Sequence, residues 1–237
     1  MLNDIIGFLK FQGEEKYLDL LRTGEIFCNT KDYFSNLKCE DLIGDDYENI
    51  VYFDYGESVK IPINLELDHI TMKRQSNGLY YSFGNKNKEF INFFCLYAIR
   101  IKDCSIEENK LVFKVPKELK TDAENFLFIS YTDKFILNII KELRSRNLKY
   151  NLSIVKYQDF EKNHGYKSYF HKRKMYSVQN EFRFVIYNDV DEPLKFNIGD
   201  ISDISLKIPM ECETIDINVS DLDYVLSVRD FKWEIEK

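Results

Sequence analysis

Gln179-Asn-Glu181-Phe-Arg183 sets a carboxylate between an amide and a guanidinium, each two residues away. Alternate residues of an extended strand share a face and lie roughly 7 Å apart. One small substrate can therefore touch all three, provided the strand starts early enough to include Gln179. Just upstream, Phe170, His171, Lys172, Arg173, Lys174 and Tyr176 form a cationic, aromatic run. A carboxylate beside clustered cations on a rigid strand is a candidate site for a charged substrate. The competing reading is a half-exposed strand whose Glu181–Arg183 pair faces water, an arrangement worth little energy.

The strand itself follows from period-2 alternation. Phe182, Phe184 and Ile186 point to a core, while Glu181 and Arg183 occupy the other face. Aromatic and β-branched residues suit it to a pleated surface. Further strands are expected at Ile5–Phe11, Glu25–Thr30, 49–55, 60–65, 68–74, 79–83, 90–101, 111–115, 129–131, 151–157, 194–198, 204–208 and 224–236. Ser76-Asn-Gly78 is a hairpin-type turn. A short helix is predicted over 14–23 from Tyr17, Leu18 and Leu21, with Gly24 as the residue that ends it. Lys31–Phe34 starts a helical turn, and Pro116 opens another helical stretch. The clearest helix is 132–147, where Phe135, Ile136, Ile139, Ile140 and Leu143 make one apolar stripe. Many short strands with a few helices read as α+β.

With 237 residues and 44% apolar content, the chain is expected to form a single elaborated domain, 1–237. Nineteen Phe and 16 Tyr argue against disorder. No apolar run approaches the roughly 20 residues that cross a bilayer, and the N-terminus lacks the basic region and cleavage site of a signal peptide. A cytoplasmic protein without membrane contact is the expectation. Five scattered cysteines fit reduced thiols. Three histidines away from metal-ligand spacing make a His/Cys zinc site improbable. The acidic loop 40–48 lacks the periodicity of a calcium loop. The net charge of −7 hides a segregation: residues 134–174 hold 11 Lys and Arg against 3 Asp and Glu, and residues 189–237 hold 5 against 13. The basic block, with Tyr150, Tyr157, Phe160, Tyr166, Tyr169 and Phe170 interleaved, could take phosphates and stack on bases. It could equally be a solvated helix and loop that pair with the acidic C-terminal region.

Phe8-Leu-Lys10, Gly24-Glu-Ile-Phe-Cys-Asn29, Phe34, Gly44-Asp-Asp-Tyr-Glu48, Phe94-Cys-Leu-Tyr97, Phe170-x-Lys172, Tyr176-x-x-Gln179-x-Glu181-Phe-Arg183 and Ile198-Gly-Asp-Ile-Ser-Asp203 together resemble a set of uncharacterised bacterial proteins suggested to share the ADP-ribosyltransferase-like fold. The resemblance spans most of the chain through short motifs. It implies a split, mostly antiparallel sheet with a few helices. It also implies NAD as cofactor and three signature positions: Lys10 on the first strand, Asn29/Thr30 on the next, and Glu181 late in the chain. Gln179-x-Glu181 looks like the family's Q-x-E pattern. On that pattern Glu181 hydrogen-bonds the ribose 2′-OH and stabilises an oxocarbenium-like centre, and Gln179 orients the acceptor. Lys10 and Arg183 neutralise the pyrophosphate, and Tyr33, Phe34 or Tyr176 stacks on nicotinamide. No metal is implied. Small bacterial members of the superfamily are often toxins or phage-defence effectors that modify protein, DNA or RNA, which brings in a macromolecular acceptor and an antitoxin or defence partner protein. The basic segment 134–174 favours a nucleic-acid acceptor.

Lys10 stands where that pattern has Arg or His, and Cys28-Asn29-Thr30 stands where it has Ser-Thr-Ser. Both departures favour a second reading, a catalytically silent interaction or sensor module of phage defence on the same fold. A third, a metal-dependent nuclease using Asp159, Glu161 or Glu181 with Lys172, lacks the D…E-x-K spacing, since Arg183 stands where Lys is wanted.

Overall fold

A computed structural model describes residues 4–36, 52–53, 55–56, 67–75, 78–85, 90–108, 110–160 and 162–218. The architecture is α+β, with mostly antiparallel sheets and few helices. The chain divides into two compact units. One comprises Met1–Ile26, Leu96–Glu142 and Phe196–Lys237, and the other Phe27–Cys95 and Leu143–Lys195.

In the first unit, strand Ile5–Lys10 lies between Asn125–Ile129 and the second half of Phe90–Arg100, antiparallel to both. Ser205–Pro209 pairs on the outer side of Asn125–Ile129. Ile6 and Leu9 enter a core with Ile99, Phe113 and Phe126. Phe8 lies 6.3 Å from Phe135 of helix Thr132–Ser145, ring centre to ring centre. The expected stripe of that helix is buried: Phe135, Ile136, Ile139, Ile140 and Leu143 are all core residues. A second antiparallel sheet joins Cys104–Glu107, Lys110–Lys114 and Thr214–Asn218.

Helix Glu15–Arg22 ends as its sequence predicts. Gly24 has φ +96°, and a Cβ there would meet the Gly199 carbonyl oxygen at 2.1 Å. Both the left-handed backbone and the close approach require glycine. Gly24→Ala is therefore expected to cost about 1–3 kcal/mol, seen as a melting temperature lowered by several degrees. An unchanged melting temperature would show that this turn is not under strain.

In the second unit, Lys149–Ile154 pairs antiparallel with Glu181–Asn188 over six residues. The first half of Phe90–Arg100 flanks the Glu181 strand on its other side. Beyond it, Asn29 and Thr30 face Phe93 and Asn92 in register. Lys156–Gln158 and His171–Arg173 form a parallel pair. Strand Leu67–Gln75 pairs with Gly78–Asn85, with Gln75 opposite Gly78, as the hairpin expectation requires.

Several expectations needed correction. The strand expected at 129–131 lies earlier, at Asn125–Ile129, because Ser130 begins the turn into the helix. The stretch after Pro116 is one 3-10 turn, Lys117–Leu119. The strand expected over 151–157 is two, Lys149–Ile154 and Lys156–Gln158, with separate partners. Strands Cys104–Glu107 and Thr214–Asn218 were not expected. The strands expected over 60–65 and 224–236, and the acidic loop 40–48, lie outside the described residues. Among the described residues, no helix is long and apolar enough to cross a membrane.

Candidate functional site

The Glu181 strand is buried on both faces, which overturns the half-exposed strand expected from its alternation. Phe182, Phe184 and Ile186 are fully buried, and Phe184 packs against Phe94 with ring centres 6.1 Å apart. The polar face is covered too. Glu181 is 5% exposed, Arg183 1% and Val185 0%. The sequence shows polar residues there because the charges neutralise each other, not because water reaches them.

Each cation in this network is placed by a different element. Glu181 Oε1 accepts from Arg183 Nε at 2.6 Å, and Oε2 accepts from Lys172 Nζ at 2.9 Å. Lys172, itself 3% exposed, also donates to Gln179 Oε1 at 3.0 Å. Arg183 Nη1 donates to the Tyr169 carbonyl at 2.7 Å, and its guanidinium lies 4.4 Å from the centre of the Phe93 ring. Ring pairs join Phe93 to Tyr169 and to Phe34, with centres 5.9 Å apart in both. The main-chain N–H of Glu181 donates to the Tyr157 hydroxyl at 2.9 Å. A buried charge without partners would cost several kcal/mol; here each one has them.

Burial alone would raise the carboxyl of Glu181. Arg183 and then Lys172 outweigh it and hold the group well below the usual carboxylate range. The Cys95 thiol donates to this carboxylate and is pushed up to about 12, first by burial and then by the Glu181 charge. Tyr157 is also pushed up, by burial and by Glu181. Glu181 is thus an anion at neutral pH among neutral donors and two cations. A depressed carboxyl stabilises the fold fully above its unfolded value near 4.5, and that stabilisation is lost as the pH falls toward the folded one. Urea unfolding of the native chain is expected to lose stability steeply below about pH 4.5, and Glu181→Gln to flatten that slope. Parallel slopes would mean that other carboxylates govern acid unfolding.

The second unit holds eight of the nine residues expected at a site. Asn29 and Thr30 lie one strand beyond Phe93 and Asn92, and Phe34 packs on Phe93. Gln179, Glu181 and Arg183 form the network with Lys172. Lys10 belongs to the other unit, at the end of its first strand in register with Leu127. Gln179 is not on the Glu181 strand. It closes a 3-10 helix, Lys174–Gln179, and Asn180 turns the chain in the left-handed region at φ 34°. Its amide nonetheless reaches the network, through Lys172. Tyr176 is wholly buried and its hydroxyl accepts from Arg173 at 2.9 Å, so its ring belongs to the interior. Tyr33 is 46% exposed and stands edge-on to Phe34. Tyr157 and Cys95 were not expected to touch Glu181, and Lys172 was set with it only in the nuclease reading. Lys172 also stands in the basic run and in Phe170-x-Lys172; Tyr157 stands among the interleaved aromatics and Cys95 in Phe94-Cys-Leu-Tyr97, and neither pattern points to Glu181.

No protein-family model, curated protein or solved structure matches this chain. The site's own residues define its chemistry. They supply a fixed carboxylate kept ionised, an amide two residues before it, and an ammonium shared between the two. Among the described residues there is no group of three or more His, Cys, Asp and Glu that could hold a metal ion.

Proposed function

We propose that the chain is an ADP-ribosyltransferase-like enzyme that moves ADP-ribose from NAD to a macromolecular acceptor, acting as a toxin or phage-defence effector. The observation that carries this reading is the state of Glu181. It is an ionised carboxylate on a central strand, and its Lys172 partner also binds Gln179. Breaking the nicotinamide–ribose bond leaves positive charge on the ribose, and a carboxylate held ionised in a low-dielectric site stabilises such charge strongly. The same residues favour an ADP-ribosyltransferase-like version of the α+β class.

Burial divides the roles. Glu181 Oε2 takes the ribose hydroxyl when Lys172 gives way, and Gln179, released with it, orients the acceptor. Phe34 and Tyr33 offer aromatic surface for nicotinamide. Arg183 and Tyr176 are held inside the unit, so they support Glu181 and Arg173 rather than line the cofactor. NAD itself supplies the activated glycosidic bond.

One observation favours the second reading, a catalytically silent interaction or sensor module. Both oxygens of Glu181 already carry cations, and the side chain is nearly closed to water. Transfer of label from adenylate-labelled NAD to a bacterial lysate, split into protein, DNA and RNA fractions, separates the two. The enzyme labels one fraction with wild type and none with Glu181→Gln. No label and no released nicotinamide with either protein would leave the module.

A further inference from the structure

The Glu181 network uses one face of the parallel pair Lys156–Gln158 and His171–Arg173, and the opposite face is charged as well. Lys156 stands beside His171 in register, and Tyr157 beside Lys172. Tyr157 and Lys172 both bond to Glu181. Alternation therefore turns Lys156 and His171 to the other side. There they meet Lys167, which is 8% exposed. Its ammonium donates to the Asn163 carbonyl at 2.6 Å and to Gln158 Oε1 at 3.4 Å, both uncharged acceptors, and lies 4.8 Å from the centre of the Phe160 ring. Ser168 completes the group. Its main-chain N–H donates to His171 Nδ1 at 3.0 Å, and its hydroxyl lies 2.9 Å from the same nitrogen. With Nδ1 accepting, the ring proton sits on Nε2 as a donor.

Three basic groups are thus gathered on one face, and among the described residues no carboxylate pairs with Lys156, Lys167 or His171. Burial, then Lys167, then Lys156 push the His171 imidazole down, and burial pushes Lys167 down. An anion would relieve both.

We propose that Lys156, Lys167, Ser168 and His171 form a phosphate site that takes the backbone of a single-stranded nucleic acid, the acceptor of the transferase. The inference rests on the transferase reading and names its substrate class. An exposed ring favours a strand over a lone phosphate. Tyr166, next to Lys167 in sequence, is 60% exposed, and exposed rings on a basic surface are how proteins hold unpaired bases. The chain as a whole is acidic, at −7, so attraction for a polyanion has to come from a local cluster.

The test is fluorescence anisotropy of labelled single-stranded RNA and DNA oligonucleotides, without NAD, with a duplex of the same sequence and inorganic phosphate as competitors. Wild type is expected to bind a single strand, and neither competitor to displace it efficiently. Lys156→Gln and His171→Gln should each weaken binding about threefold to tenfold at an unchanged melting temperature. Lys156→Gln should also lower the slope of log affinity against log salt by about 0.7. Lys167→Met keeps the buried stem and should behave as Lys156→Gln; should it unfold, Lys156→Gln decides. The proposal is overturned by no binding in wild type, by equal binding in all variants, or by duplex or free phosphate competing as well as the strand. Nicotinamide release by wild type that persists without oligonucleotide binding would overturn this proposal alone. Oligonucleotide binding without any release would keep the phosphate site and remove the transferase.

Discussion

Replacing Glu181 by Gln is expected to lower nicotinamide release from NAD by about 10²–10³-fold, the usual effect of removing one preorganised electrostatic partner of a transition state. The substitution conserves shape but removes the charge and turns one accepting oxygen into an NH2 donor that faces a cation. It also leaves Lys172 and Arg183 facing a neutral amide in a buried site, which weakens the fold. Glu181→Asp separates the two effects. It keeps the charge balance but withdraws the carboxylate by one methylene, so it should retain most of the melting temperature while losing most of the turnover. Equal turnover in wild type and both variants would remove Glu181 from the chemistry and leave the network as a structural one.

Arg183→Met is expected to cost about 3–5 kcal/mol of stability, because it leaves Glu181 buried with Lys172 as its remaining cation. For a chain of this size that is a fall in melting temperature of about 6–20 °C. The expected signature is non-additivity. Combining Arg183→Met with Glu181→Gln should cost clearly less than the sum of the two single changes, since removing the anion removes the reason for the cation. Chemical denaturation of the four proteins in such a cycle measures the coupling. Additive losses would mean that Arg183 acts through its contacts with Phe93 and the Tyr169 carbonyl alone.

The helices and most strands were legible because their signals are local. The Thr132–Ser145 stripe and the left-handed Gly24 turn each need only a few neighbouring residues. The Glu181 strand was legible in place and in its alternation, but its exposure was not. Period-2 alternation with Glu and Arg on one face reads as a wet surface. Whether water reaches that face depends on Lys172 and Tyr169, from a stretch without periodicity, and on Tyr157 from the strand before it. Gln179 was misplaced for a related reason. Sequence spacing puts it in line with Glu181, yet Asn180 in the left-handed region breaks the strand and delivers the amide through Lys172 instead. Long-range pairings such as Asn29 with Phe93, or the parallel pairing of Lys156 with His171, have no local signature at all.

One bond at the head of the Glu181 strand has an experimental use. The amide hydrogen of Glu181 is held by a side chain, the Tyr157 phenol. Its exchange with deuterated solvent therefore requires Tyr157 to leave. Tyr157 adjoins Lys172 in register, and both touch Glu181. Whatever displaces that pair to open the carboxylate to a ligand should speed exchange at this one amide while Phe182 and Phe184 beside it stay protected. A single backbone hydrogen thus serves as a clock for how often the buried anion meets the outside.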